Sequence, residues 1–374
     1  MWTQSTLGET CKMYQPKTIS TKEMVENGAY PVFGANGIIG RFHEYNHKEP
    51  QLLITCRGAT CGAVNISEPF SWINGNAMVI QPSLDKISLK YMEYLFRGGI
   101  NLSKVITGSA QPQITRTSHE KVSFSFPQLA EQQRIVAKLD AAFFEIDLAI
   151  KSVNKKKEEI SSLYENAITS EFGNINRYEE KKLSDICEKI TDGTHQTPKY
   201  FEDGYIFLSS KNVTSRKIDW DNVRYIDEKQ HLEMHKRIAP RIGDILLAKN
   251  GTTGVAAIVD RDVVFDIYVS LAWLRSKGEV LPEYLLEYIN SKIARDQFNT
   301  RTKGIGVPNL HLREIREVII RFPNDLKDQR VIVKKLKAID DSCILYNQIN
   351  NKKIKCLIAL KSSILDKEIN IEIK

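Results

Sequence analysis

The side chains best placed to do chemistry in this sequence are polar groups beside glycine, and they come in matching loops. Thr55-Cys56-Arg57-Gly58-Ala59-Thr60 and Gly108-Ser109-Ala110-Gln111-Pro112-Gln113 lie in the first half. Lys249-Asn250-Gly251-Thr252-Thr253-Gly254, Lys303-Gly304 and Asn309 lie in the second. The chemistry such groups offer is recognition. Arg and Lys read the acceptor edge of guanine in the major groove, Asn and Gln read adenine, and Ser, Thr and backbone N–H groups hold phosphate. Each residue taken singly is an ordinary turn residue. As paired loops they point to double-stranded DNA. The candidate contacts are Arg57, Thr60, Ser109 and Gln111 in the first half, and Lys211, Asn212, Lys249, Asn250, Thr252 and Asn309 in the second. Gly108 and Gly304 are expected to let the backbone approach closely.

Other chemistry finds no support. The six cysteines form no C-x-x-C pair, which speaks for reduced thiols and against a zinc site or a disulfide framework. His231 and His235 stand four apart, but not in the His-Glu-x-x-His order of a metalloprotease, and are expected to be two surface histidines on a polar helix. No P-loop, no Asn/Asp-Pro-Pro-Tyr/Phe adenine-holding motif and no nuclease carboxylate–lysine cluster is present. Gly34, Gly37 and Gly40 are spaced like a nucleotide loop, but no strand–turn–helix unit surrounds them. The expectation is therefore no catalytic residue, no metal ligand and no cofactor in this chain. A net charge of +7 suits a polyanion partner without requiring one. Neither a secretory signal nor a membrane-length apolar run is seen, so a cytoplasmic protein is expected.

Something must position the paired loops, and the sequence supplies it as a repeat. Gly108 to Ile114 matches Gly304 to Leu310 at an offset of 196, as 304 follows 108. Leu53 to Gly58 matches Leu246 to Gly251, and Phe126-Pro127 matches Phe322-Pro323. Leu7 to Cys11 matches Leu183 to Cys187, and Glu131-Gln132 matches Asp328-Gln329. Five weak matches in one order make a tandem duplication.

Each half ends in a heptad segment. The first seam is Ile135, Leu139, Ala142, Ile146, Ala149, Val153, Lys156, Ile160, Leu163 and Ala167. The second is Ile332, Leu336, Ile339, Cys343, Tyr346, Asn350, Lys353, Leu357, Leu360 and Ile364, every position 197 later. Apolar residues alternating at four and three over this length predict coiled-coil helices, with Asn350 as a register-setting polar residue. About 40 residues at 1.5 Å each give a rod of about 60 Å. The segments before the rods have short β-like runs and Asn-Gly turns.

The fold expected is α+β. Two mixed α/β globular segments, 1–129 and 174–326, are separated by two long helices, 130–173 and 327–374. The helices pack as an antiparallel coiled coil, related by a pseudo-two-fold internal repeat. Two diverged heads on such a frame suit two unlike DNA half-sites at set spacing.

At these residues the chain resembles the specificity subunits of type I restriction-modification systems. Tyr30 to Gly40, Leu53 to Gly62 and Gly108 to Ile114 are similar to segments of that family's target recognition domains. Phe126 to Val136 resembles the family's entry into its central helix. Phe322 to Val333 repeats it, with Asp328 where Glu is usual and one residue inserted.

The resemblance implies that each head reads one part of an asymmetric split DNA sequence, while the helices act as a ruler for the spacer. It implies two adenine-N6 methyltransferase subunits that use S-adenosylmethionine, and two restriction subunits that use ATP and Mg. The chain itself then performs no chemistry. The specificity subunit of a bipartite type II enzyme is the alternative.

Overall fold

The structure, a computed structural model, describes residues 2–108, 112–173, 177–251, 253–301 and 309–370. It divides into two compact units, 1–154 with 351–374, and 155–350. Each unit is a mixed head with one end of both long helices.

In the first unit the strands are β1 (Trp2–Thr6), β2 (Cys11–Tyr14), β3 (Tyr30–Gly34), β4 (Gly37–Phe42), β5 (Leu52–Thr55), β6 (Val64–Ile66), β7 (Trp72–Ile73), β8 (Ala77–Pro82) and β9 (Ser123–Pro127). The helices are α1 (Leu7–Thr10), α2 (Leu89–Tyr94), α3 (Arg116–Glu120) and the 45-residue α4 (Leu129–Gly173). One sheet runs β2-β8-β5-β6, and a second runs β4-β3-β7 with β3 and β7 parallel. β1 pairs with β9, Trp2 opposite Pro127, so the two ends of the head close on each other. Leu52, Leu53 and Ile54 are all fully buried, as a central strand requires.

The second head repeats this plan. Its strands are β10 (Glu179–Lys182), β11 (Cys187–Asp192), β12 (Tyr205–Leu208), β13 (Arg224–Ile226), β14 (Ile245–Ala248), β15 (Ala256–Ile258), β16 (Phe265–Ile267), β17 (Leu271–Ser276) and β18 (Ile319–Phe322). Its helices are α5 (Leu183–Ile186), α6 (Glu228–His235), α7 (Pro282–Ile289), α8 (Lys292–Arg301), α9 (Leu312–Arg316) and the 44-residue α10 (Leu326–Ile369). The sheets run β11-β17-β14-β15 and β13-β12-β16, again with one parallel pair, and β10 pairs with β18. Strand for strand this is the order of the first head. α6 is an addition, standing between β13 and β14 where the first head has only a loop, and α8 stands where the first head has a short 3-10 turn, Leu102–Val105.

The long helices run antiparallel in each unit. Lys138 meets Glu368 at 2.7 Å and Asp147 meets Lys361 at 2.8 Å in the first; Glu171 meets Lys335 at 3.3 Å in the second. The exposed pairs Asp147–Lys361 and Glu171–Lys335 contribute little, while Glu368 is buried, and the apolar seam carries most of the helix packing. Ile135, Leu139, Ile146, Val153, Ile332 and Leu336 are buried, and Ile160, Ile339, Tyr346 and Leu357 are half-buried.

The expected seam fails in the second half of each helix, where Lys156 and Leu163, and their repeat mates Lys353 and Leu360, are exposed. After Val153 the buried face continues through 157, 160, 164, 168 and 172; after Asn350 it continues through 354, 357, 361, 365 and 369. Leu163 is 65% exposed and its repeat mate Leu360 is 49% exposed, so Leu360 is not a seam residue. A helix of 3.6 residues per turn drifts off a strict 3.5 repeat, and an extra four-residue step resets the face. The reset turns Ile168 and Phe172 into the second head's core, where Phe172 packs edge-on to Tyr284 at 5.4 Å, and Leu365 and Ile369 into the first head's.

The Glu-Gln and Asp-Gln motifs at the helix entries prove to be clasps. Gln132 is fully buried; its Nε2 donates to the carbonyls of Lys86 and Pro127, and its Oε1 accepts from the Ser88 N–H. Gln329 does the same with Glu279, Pro323 and Leu281. Each glutamine locks a long helix to its head and satisfies buried loop groups that would otherwise be unpaired. No helix among the described residues is long and apolar enough to cross a membrane.

Candidate nucleic-acid interface

The paired loops grow from equivalent strands. In the first head the chain leaves β5 through Cys56, and the Ile114 N–H donates to the Cys56 carbonyl at 2.9 Å. The Gly58 N–H donates to the Pro112 carbonyl at 3.0 Å, and Arg57 bridges Gln113. The fold thus brings together two segments 54 to 58 residues apart that the sequence singles out independently. In the second head the chain leaves β14 through Lys249, the Leu310 N–H donates to the Lys249 carbonyl at 3.0 Å, and Asn250 bridges Asn309. Gly58 (φ 89°) and Gly251 (φ 79°) both turn the chain through the left-handed region with open space where a Cβ would be.

The candidate residues then separate. Arg57, Thr60, Lys211 and Asn309 are exposed and available to a ligand. Thr60 accepts from the Asn36 amide, and Thr55 Oγ1 donates to the Ala35 carbonyl at 2.7 Å, which ties this loop to the β3–β4 turn. Ser109, Gln111, Thr252, Lys303 and Gly304 lie outside the described residues.

Two candidates point elsewhere. Lys249 occupies the position of Cys56, which is buried, and is itself only 6% exposed. Its Nζ donates to Asp192 Oδ2 at 2.6 Å. A charge at a buried position needs a partner, and this one is internal. Asn212 is also buried: its Oδ1 accepts from the Ser209 N–H, and its Nδ2 donates to the Asp219 and Asn222 carbonyls. Its hydrogen-bonding capacity goes into holding a turn. Asn250 is intermediate, with a buried Oδ1 that has no partner among the described residues.

The second head also holds a polar centre that the sequence reading passed over. Asp192 ends β11, is 4% exposed, and gathers Lys249, Arg237 at 3.2 Å and His195 at 3.4 Å. Burial would raise its carboxyl, but the hydrogen bond and charge of Lys249 hold it below the ordinary range. Beside it lies a cavity of about 310 Å³ lined by residues 193–198, Gln230, Arg237 and Asp266 among others. His195, Gln196 and Thr197 are exposed on its rim. The signal was present: Asp192-Gly193-Thr194-His195-Gln196-Thr197 has the same glycine-and-polar grain as the loops that were chosen.

The histidines of α6 correct a second expectation. His231 is 6% exposed and stacks on Tyr205 at 3.9 Å. Its Nδ1 lies 2.7 Å from Asp266 Oδ2, and His235 Nδ1 lies 3.3 Å from Oδ1 of the same carboxylate. Burial pushes the Asp266 carboxyl above its ordinary range despite both imidazoles. The four-residue spacing puts both rings on the helix face that packs on β16.

Comparison with known proteins bears on what these surfaces serve. The family profile described as type I restriction modification DNA specificity domain matches residues 1–162 and 176–355. The chain belongs to this family. Within the family's named proteins, it is 23% identical over 371 residues to the type I restriction enzyme MjaVIII specificity subunit of Methanocaldococcus jannaschii, covering 91% of this chain and 86% of that one. It is 21% identical over 335 residues to the EcoBI specificity subunit of Escherichia coli, covering 80% and 69%. Two solved structures share the fold. A chain from a structural study of assembly and conformational transition in a type I restriction-modification system aligns with a TM-score of 0.74 at 18% identity, covering 98% of this chain and 97% of that one. The HsdS subunit of Thermoanaerobacter tengcongensis aligns at 0.53 and 16%, covering 98% and 96%.

Proposed function

We propose that each head of this type I specificity subunit reads one part of an asymmetric, split DNA sequence. The observation that carries the reading is a repeated head topology whose matching loops bear different side chains: Arg57 bridged to Gln113 on one, Asn250 bridged to Asn309 on the other. Lys and Arg neutralise phosphates and give a salt-dependent affinity. A few side chains per head reach base edges, each worth on the order of 1–3 kcal/mol in discrimination. The cavity beside Asp192 joins the second head's candidate surface, with His195 and Gln196 as donors and acceptors.

In this reading the chain performs no chemistry. Two methyltransferase subunits dock on it, use S-adenosylmethionine and modify adenine N6. Two restriction subunits that use ATP and Mg complete the assembly. The helices set the spacer. Four residues added to both, after Ala149 and after its repeat mate Tyr346, lengthen them by about 6 Å. The expected result is a longer spacer with both half-sites unchanged; an unchanged spacer removes the ruler role.

Single-molecule methylome sequencing tests the whole reading in a host carrying this chain with its methyltransferase partner, against a host lacking only this chain. A split motif with N6-methyladenine in each part, absent without the chain, is expected. A motif that persists without the chain overturns the proposal.

A further inference from the structure

We propose that His231, His235 and Asp266 hold a divalent metal ion of the borderline class that Zn²⁺ represents, pinning α6 to β16. Neither the family nor the DNA reading requires such a site, and the inference does not rest on them. The ligand atoms of the three side chains all lie within 4.8 Å of one another, and among the described residues they are the group of ligating side chains that converges in this way. Two imidazoles and one carboxylate are a recurrent donor set for Zn²⁺, with a fourth position left to water. Bonds of about 2.1 Å at a tetrahedral centre put neighbouring donors about 3.4 Å apart. The His235 Nδ1–Oδ1 separation of 3.3 Å is close to that value, and the His231 Nδ1 separation of 2.7 Å, to the other carboxylate oxygen, is shorter. His235 is about a third exposed, so its ring has freedom to adjust.

Charge gives the second argument. Asp266 is 2% exposed and has no lysine or arginine partner among the described residues. Its neighbour Asp192, buried to a similar degree, has Lys249 and Arg237. A buried carboxylate without a lysine or arginine partner is costly, and a dication there would supply the counter-charge. Access exists as well, because Asp266 lines the cavity that opens beside Gln230 and Glu233. The site has no counterpart in the first head, which lacks α6. A metal there would anchor the wall of the second head's cavity and leave the first head's loops untouched.

The test uses the full chain copurified with its methyltransferase partner, stripped with a chelator and returned to Zn²⁺. Equilibrium dialysis compares the wild-type complex with His235→Ala and His235→Gln. The glutamine variant keeps an N–H for the carboxylate and loses the ligand. The proposal expects one Zn²⁺ fewer per specificity chain in both variants. It also expects a Zn²⁺-dependent rise of several degrees in the unfolding midpoint in the wild type alone, and visible Co²⁺ d–d bands that both variants lose. Equal uptake by all three proteins, or no midpoint shift in the wild type, overturns it and leaves a hydrogen-bonded His–Asp–His cluster.

Discussion

Where β5 ends in the first head the next residue is Cys56, a small buried thiol among apolar neighbours. At the matching place after β14 the second head has Lys249, equally buried, and builds Asp192, Arg237 and His195 around it. The reverse holds one layer away. The first head buries His119 with neither ring nitrogen partnered among the described residues, and the second head has Ile315 at that position. Around His47 the first head uses neutral groups: Tyr14 OH at 2.7 Å and Asn46 Oδ1 at 2.6 Å. The two heads thus keep one strand order and exchange their buried polar groups. A repeated frame tolerates this because strand order depends on the apolar faces and on closing pairs such as β1–β9 and β10–β18. A buried charge needs only a partner from a neighbouring strand.

The sharpest way to break the comparison is to remove the second head's counter-charge. Asp192→Asn leaves Lys249 buried and unpaired, and is expected to cost about 3–5 kcal/mol. Denaturant unfolding of the complex would measure it, and methylation of one half-site should fail first. Cys56→Ala at the matching position should cost far less; equal losses would show that the two positions are not doing different work.

The next effect is an acid sensitivity between about pH 6.5 and 4 that the first head owes to His119. Burial pushes His119 down to about 4 from an ordinary value near 6.5. Its folded pKa is depressed, so the unfolded chain takes up the proton first. The stability is therefore complete above about pH 6.5 and is lost as pH falls from there towards 4, up to about 3 kcal/mol. His119→Ile, the second head's choice, should remove most of that slope in unfolding experiments across this window, leaving the smaller share of His47, which burial also lowers. An undiminished slope would put the acid sensitivity elsewhere.

The clasps should behave alike where the polar centres do not. Gln132→Leu and Gln329→Leu each strand two buried carbonyls and one N–H, and each should cost about 2–3 kcal/mol. A large difference between them would mean that the helix entries have diverged as the heads have. The smallest expected effect on stability belongs to Arg57→Ala, an exposed loop residue, at within about 0.5 kcal/mol. Its effect should appear in methylation, as relaxed preference in one part of the target. No change in motif or in salt dependence would remove Arg57 from the interface.

The repeat, the mixed heads, the long helices and most of the seam were legible because they rest on periodicity, which a sequence displays directly. The seam misread at Leu163 and Leu360 has a plain cause. The heptad rule assumes that a helix packs only on its partner, and in both helices the last turns turn instead into a head's core through Phe172 and Ile369. The candidate loops were found by composition, and the fold pairs them as the repeat suggested. Which way each side chain faces was not legible. The sequence aligns Lys249 with Cys56, and that alignment already held the warning that the position is buried. The His231 and His235 partners of Asp266, and the Arg237 and Lys249 partners of Asp192, lie 31 to 57 residues away in the chain. No local pattern announces contacts of that range.

The central claim is that the heads read independently. Methylome sequencing tests it most directly with a chain whose second head, residues 177–322, is replaced by the matching segment of another family member. One part of the split motif should change while the other part and the spacer stay fixed. A change in both parts, or in neither, would contradict the account.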